Sequence, residues 1–357
     1  MVPFPDRVQK PIPPGEPIYV IPPIERQPEM SLRADMLAEQ RDWGHAPLGL
    51  EALHAAGYLG EGVVVCIADT GGDPDHPDLK DRYLPEGHAD HTGSRYGWRD
   101  VQSHGTHCSG IALASKGNDQ GIIGAAPSAR LLIQKVLGDQ GSGASSWIAA
   151  GIRRAADLGA DIVSLSLGGP SPDSLTRAAI QYATGKGMWV VAAAGNDGGP
   201  ANSYPGHYPE TIAVAAVDRN IARASFSTIN SQNDVAAPGV SILSTLPDNR
   251  YGTMSGTSMA TPYVAGCLAL VRGAIKKANV RMPTQTELQA AIVRTSRDIL
   301  PTGLDSGTGA GLIDPAKLIA EFMTVPPPPV VPPPVPPPTP GKTVTLKFVN
   351  GLLVEAA

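Results

Sequence analysis

At 357 residues, 42% hydrophobic and 17% charged, the chain can bury a full core, which excludes a disulfide miniprotein and a wholly disordered chain. Twenty-eight Lys and Arg against 33 Asp and Glu leave a net charge of −5. No basic excess exists to neutralise phosphates, so nucleic acid is not an expected partner.

Of 36 prolines, nine fall in residues 1–30 and eleven in 326–340, which leaves sixteen for the 295 residues between. That middle usage is about the 5% of a globular domain. The chain therefore reads as one folded body with two proline-rich ends. Residues 1–45 form a Pro-punctuated arm with one short helical stretch, Ser31–Gln40. The longest apolar run in the arm, Ile18-Tyr19-Val20-Ile21, is shorter than the roughly 7–15 residues of an export signal. No stretch anywhere approaches the roughly 20 apolar residues that cross a bilayer, so no membrane association is expected.

From residue 46 near-continuous apolar runs begin, at Val63–Ala68, Leu131–Ile133, Ile162–Leu165, Met188–Ala194 and Ile212–Val217. Such runs suit strands covered on both faces. Helical spacing separates several of them. In Ser145–Leu158, Ile148, Ile152 and Ala155 recur on one side while Arg153 and Arg154 face away, and Ser174–Thr184 is a second segment of this kind. Strands alternating with helices predict, over residues 46–323, a single α/β domain with a central, mostly parallel sheet and helices on both faces. Residues 324–341 read as a stiff polyproline spacer. Residues 342–357 read as a β-hairpin-like tail turning at Asn350-Gly351, too small to stand alone. Three cysteines, Cys66, Cys108 and Cys267, are too few and odd in number for a disulfide framework. They suit a reducing compartment and predict a cytoplasmic protein.

Three local constellations carry chemistry. Asp69-Thr70-Gly71 follows the first apolar run directly. A carboxylate at the carboxyl end of a parallel strand sits where open α/β sheets place their sites, although a strand-ending Asp in a turn is the plainer alternative. His104-Gly105-Thr106-His107-Cys108-Ser109-Gly110 opens a stretch of small residues. Histidine is the general base that works near neutral pH, and the flanking glycine lets a partner backbone come close. A zinc site of His104, His107 and Cys108 competes, but no second Cys/His pair lies at a useful spacing. Ser255-Gly256-Thr257-Ser258-Met259-Ala260-Thr261-Pro262 leads into an apolar helix, Tyr263–Ile275. A serine there meets the positive end of the helix dipole and a free amide that can bind an oxyanion; the alternative is a plain helix cap. Acyl transfer by serine needs a nucleophile, a histidine base and a carboxylate that orients the base, and the order Asp, His, Ser is a known one.

On these residues the sequence resembles the subtilisin-like serine proteases, from about Leu48 to Ala320. The strings ADTGGDPDHPDL, SHGTHCSG, KVLGDQGSGASSWI, DIVSLSLGGPS, VVAAAGNDG, SYP, VAAPGVSILSTLP and SGTSMATPYVAG occur in the family's order. The middle strings are most similar to intracellular subtilisins. The resemblance implies a serine endopeptidase that acts on proteins or peptides through an acyl-enzyme, with Ser258 as nucleophile, His104 as base and Asp69 as its orienting carboxylate. Asn196 matches the side chain that completes an oxyanion hole with the Ser258 amide, and His107 becomes structural.

The resemblance also implies a cleft in which an extended peptide pairs with Gly141-Ser142-Gly143 and Ser166-Leu167-Gly168. Ala193, Ala194 and Gly195 would line the first specificity pocket, with Ser203 near its floor. Small residues leave that pocket roomy for large apolar side chains, and Asp197 at its entrance would also admit Lys or Arg. Structural calcium is implied by Asp78 and Asn118 with the carbonyls of Gln120 and Ile122; an empty surface turn is the alternative. Oxygen donors of this kind suit a hard cation. Cys108 reads as a small core hydrophobe. In intracellular relatives a Pro-containing arm lies across the active site, and Pro17–Pro23 resembles it loosely, which makes residues 1–45 an expected restraint on activity. A homodimer is left open.

Overall fold

The structure, a computed structural model, describes residues 9–26, 32–33, 38–299, 301–324, 346–349 and 352–355. The chain begins with three short strands, β1 (Ile18–Val20), β2 (Glu25–Arg26) and β3 (Leu32–Arg33). After α1 (Leu50–Ala55) come β4 (Val64–Asp69), β5 (Ala89–Asp90), α2 (His104–Leu113), β6 (Arg130–Lys135) and β7 (Ser142–Ala144). The middle of the chain supplies α3 (Ser145–Asp157), β8 (Ile162–Leu165), α4 (Ser174–Gly185), β9 (Trp189–Ala193), β10 (Ile212–Val217) and β11 (Asn233–Pro238). A ribbon of β12 (Ile242–Leu246) and β13 (Arg250–Ser255) then leads to α5 (Thr257–Ala278), α6 (Gln285–Thr295) and α7 (Pro315–Thr324).

Seven strands form one sheet in the order β11-β10-β9-β8-β4-β6-β5, and every neighbouring pair in it is parallel. The apolar runs behave as strands buried on both sides. Val65, Ile67, Trp189 and Val191 face one core cluster, while Cys66, Ala68, Val190 and Ala192 face the other. The first cluster takes α2 and α5, the second α3 and α4. A period of two with apolar residues at both phases is what a covered parallel sheet requires. Helices therefore flank both faces, as the alternating pattern predicted. From β4 the chain runs to β6 on one side and to β8 on the other, so the strand order reverses around the end of β4. A crevice opens at such a switch point, and Asp69 is the last residue of that strand.

Two expectations need correction. Ser31–Gln40 is not a helix where it is described: Leu32–Arg33 pairs with β13, Leu32 opposite Tyr251. Helical spacing over so short a segment yields to the open edge of β13, whose amides and carbonyls need partners. The second concerns membrane length. Thr257–Ala278 is long and apolar enough by composition to span a bilayer, but its apolar stretch is buried inside the fold as the core helix, with only the last turn exposed.

Residues 326–357 form a separate small unit, in which β14 (Leu346–Val349) pairs antiparallel with β15 (Leu352–Glu355). Val349 lies opposite Leu352, and Asn350-Gly351 itself falls outside the described residues, as do 326–345.

Candidate active site

Asp69 and His104 are both fully buried, and His104 Nδ1 lies 2.8 Å from Asp69 Oδ1. The contact exists because α2 begins against the end of β4. At Gly105 a Cβ would lie 2.2 Å from the Gly71 carbonyl oxygen, so only glycine admits this approach. Asp100, which the sequence reading did not single out, holds the two segments together. Its carboxylate accepts hydrogen bonds from the amides of Gln102, Ser103 and Thr106 and from the hydroxyls of Thr70 and Thr106. The Thr70 hydroxyl in turn accepts from the Gly105 amide. Ser103, immediately before His104, is held at φ 92°, a left-handed conformation unusual for a residue with a Cβ. No motif announces Asp100, because its partners come from a loop 30 positions upstream as well as from its own.

Burial disfavours the imidazolium form of His104, but the Asp69 carboxylate and the Cys108 sulfur outweigh it and hold its pKa well above the ordinary value. Its Nε2 is buried and makes no hydrogen bond. His107 points elsewhere, its Nε2 facing the carbonyls of Ile242 and Gly252, so the zinc trio of His104, His107 and Cys108 is not brought together. Cys108 packs beside His104, with Sγ 3.9 Å from Nδ1, and burial raises its thiol pKa.

Ser258 lies in the first turn of α5, fully buried. Pro262 has no N–H to give the Ser258 carbonyl four residues back. That carbonyl instead accepts from Ser166 Oγ at 3.0 Å and Cys108 Sγ at 3.4 Å. The missing helical bond thus ties the start of α5 to β8 and α2. Ser258 Oγ donates to the Ser166 carbonyl at 3.4 Å. Asn196, after β9, accepts from the Thr257 amide and hydroxyl through Oδ1, at 2.9 and 2.8 Å, which aims Nδ2 outward.

The cleft is filled by the chain's own arm. Strand β1 runs antiparallel to β7, with Ile18, Tyr19 and Val20 opposite Ala144, Gly143 and Ser142. On its other edge Val20 exchanges both main-chain hydrogen bonds with Gly168 at 2.9 Å, and the Ile21 amide donates to the Gly141 carbonyl. Asn196 Nδ2 donates to the Pro23 carbonyl at 2.7 Å. Pro22 and Pro23 border a cavity of about 430 Å³ whose lining includes Gly168, Gly195, Asn196, Asp197 and Ser203. Ala193 and Ala194 are buried at the end of β9, and the Leu167 side chain is buried in the core. Gly195, at φ 103°, allows the turn, since a Cβ there would meet Ser203 at 2.8 Å.

Asp78 lies apart from this cleft in a second polar cluster. Its Oδ1 accepts from Asn118 Nδ2 at 2.7 Å, and its Oδ2 accepts from the Ile122 amide and the Tyr251 hydroxyl. The Gln120 amide reaches Asn118 Oδ1 at 3.4 Å. Glu39 Oε1, a group the sequence reading missed, accepts from the amides of Gly117 and Asn118 on the same loop. Among the described residues no ammonium or guanidinium pairs with Asp78. Its neighbour His76 is pushed toward the neutral form by burial. A buried carboxylate met by neutral N–H and O–H donors and by no cation is a charge that a hard metal ion would compensate.

The sequence profile of the Subtilase family matches residues 60–311. Subtilisin NAT of Bacillus subtilis subsp. natto is 44% identical over 239 residues, 66% of this chain and 61% of that protein. Thermitase of Thermoactinomyces vulgaris is 44% identical over 244 residues, 68% of this chain and 84% of its own length. Subtilisin of Bacillus pumilus is 42% identical over 284 residues, 78% of this chain and 98% of its own length. The match thus spans 61% of the length of the first of these relatives.

Proposed function

This chain belongs to the subtilase family, and from that membership we propose that it is a serine endopeptidase with Ser258 as nucleophile, His104 as base and Asp69 as the carboxylate that orients it. The observation that carries the reading is the buried His104–Asp69 pair, which leaves Nε2 without a partner beside the helix that bears Ser258. Ser258 Oγ attacks the peptide carbonyl carbon while its proton passes to Nε2. The negative charge that collects on the carbonyl oxygen is met by Asn196 Nδ2 and the free amide of Ser258 at the start of α5. His104 then protonates the leaving amine, and water, activated the same way, releases the acid and restores Ser258.

Substrates are proteins or peptides that lie extended between Gly141–Gly143 and Ser166–Gly168, the place taken here by the arm. The arm is proposed to restrain the enzyme. Prolines 22 and 23 offer no amide at the centre of the cleft. In the arm's register Pro22 is next after the last paired amide, Ile21, yet the carbonyl that reaches Asn196 belongs to Pro23, one residue further on. Calcium, when bound, would be held by Asp78, Asn118 and the carbonyls of Gln120 and Ile122, and would supply charge compensation to a buried loop. The three cysteines are free and buried, which suits the cytoplasmic location proposed for the protein.

The test is labelling by a fluorophosphonate together with casein hydrolysis, in the wild type and in Ser258→Ala. Label on Ser258 and hydrolysis lost in the variant are expected. A wild type that neither labels nor cleaves after the arm is removed would leave a peptide-binding protein instead of an enzyme.

A further inference from the structure

Helix α3 begins without a cap of its own. Ala144 stands at its N-cap position in extended conformation, offers no side-chain acceptor, and is followed by a first turn with no acidic residue. The first amides of a helix have no partner within it and need one from elsewhere. The arm supplies two. The Ser145 amide donates to the Pro17 carbonyl at 3.0 Å. The Ser146 amide donates to Glu16 Oε2 at 3.1 Å, and the hydroxyl of Ser145, a fully buried residue, reaches the same oxygen at 3.4 Å.

Glu16 arrives there through a turn written in the arm's sequence. Its amide donates to the Pro13 carbonyl at 3.3 Å, and Gly15 sits at φ 80°. Pro14 and Gly15 are the central residues that a type II turn prefers, with glycine where positive φ is required. The turn ends two residues before β1, and β7 runs directly into α3. The carboxylate therefore meets the start of α3 wherever Ile18–Val20 is paired with β7.

We propose that Glu16 is an electrostatic latch: its carboxylate completes the N-terminus of α3, and its charge sets how firmly β1 stays in the cleft. The inference rests on the arm being the restraint described above. Main-chain pairing along β1 is open to any extended peptide, whereas the carboxylate on α3 belongs to the arm and favours it over substrates. An anion at a helix start is stabilised by the unpaired amides and by the positive end of the helix dipole. Glu16 is only half-buried, so salt screens this attraction. Rising ionic strength therefore loosens the arm and raises the activity of the full-length chain.

Two measurements on the full-length chain test this. The first needs no catalysis. In a Ser258→Ala background, amide hydrogen exchange is followed at Val20 and Ile21, whose amides donate to the carbonyls of Gly168 and Gly141. Glu16→Ala should speed both about fivefold, and Glu16→Gln, which keeps an acceptor but no charge, should speed them less. Raising NaCl from about 0.05 to about 0.5 M should speed exchange with Glu16 in place and leave Glu16→Gln nearly unchanged. Exchange at Cys66, inside β4, reports the fold as a whole and should stay the same. Unchanged exchange in Glu16→Ala, a salt response that survives Glu16→Gln, or an acceleration that extends to Cys66 would overturn the proposal. The second measurement is the initial rate on a peptide anilide with Ser258 intact, read before any self-processing. Glu16→Ala should raise that rate by about the factor by which it speeds exchange. Faster exchange with an unchanged rate would leave the latch standing and remove the restraint from the account.

Discussion

His104 concentrates the chemistry and gives the sharpest expectations. Its pKa is held up by Asp69 and Cys108 against burial, and the base works only when neutral. Activity should therefore rise with pH through a value above the roughly 6.5 of an ordinary histidine. Asp69→Asn removes the carboxylate that raises it, so the acid limb of kcat/KM should move to lower pH while turnover falls by about 10⁴. An acid limb that stays in place in Asp69→Asn would mean that another group sets it. Asn196 is the second residue-scale test. Thr257 fixes its orientation through two hydrogen bonds, and its Nδ2 is the donor proposed for the developing oxyanion. Asn196→Ala should lower kcat by about 10²–10³ with little change in KM, as steady-state kinetics on a peptide anilide would read. The segments that bear these residues were legible in the sequence because they are short local motifs, and their roles were implied by the family resemblance. Asp100 was not legible, because it acquires its meaning from a partner elsewhere in the chain, the Thr70 hydroxyl.

Among the elements, the arm carries most consequence. A strand bonded on both edges, to β7 and to Gly168, would compete with a substrate in the proposed cleft, and its covalent tether would give it a high effective concentration. Deleting residues 1–25 should raise peptidase activity at least severalfold, measured before any self-processing, and equal activity of the two forms would sink the restraint. The arm also explains why a helix was expected where a strand was found. Residues 31–40 have helical spacing, but the edge of β13 offers Leu32 and Arg33 a ladder of main-chain partners. A local propensity of a few tenths of a kcal/mol per residue does not outweigh that. Helix α5 is the opposite case. Its sequence announced a helix from Tyr263, and the observed start at Thr257 adds the turn in which Ser258 lies. Pro262 obscured that turn in the sequence, because a proline so near the start looks like a boundary. In the fold its missing N–H frees the Ser258 carbonyl for Ser166 and Cys108.

For the molecule as a whole, the open question of charge lies at Asp78. A buried carboxylate that meets only N–H and O–H donors is costly, and a cation that binds the folded state alone stabilises it by mass action. Millimolar calcium should raise the thermal midpoint, EDTA should reverse the gain, and Asp78→Ala should shrink it. A midpoint indifferent to calcium and EDTA would remove the ion from the account. The sequence by itself determined the layered architecture, since apolar runs alternating with amphipathic helices can bury their surfaces in few other ways. It also determined the three chemical segments, because strand-end Asp69, His104 with its glycine, and Ser258 at a helix start are local patterns. What only the tertiary structure decided was everything that depends on pairing between distant segments. Such pairing includes the clamp of Asp100 on the His104 loop and the lodging of β1 between β7 and Gly168. Hydrogen bonds between segments 30 or more residues apart leave no spacing in the chain to read. They exist because the fold brings unsatisfied main-chain edges and buried hydroxyls to one another.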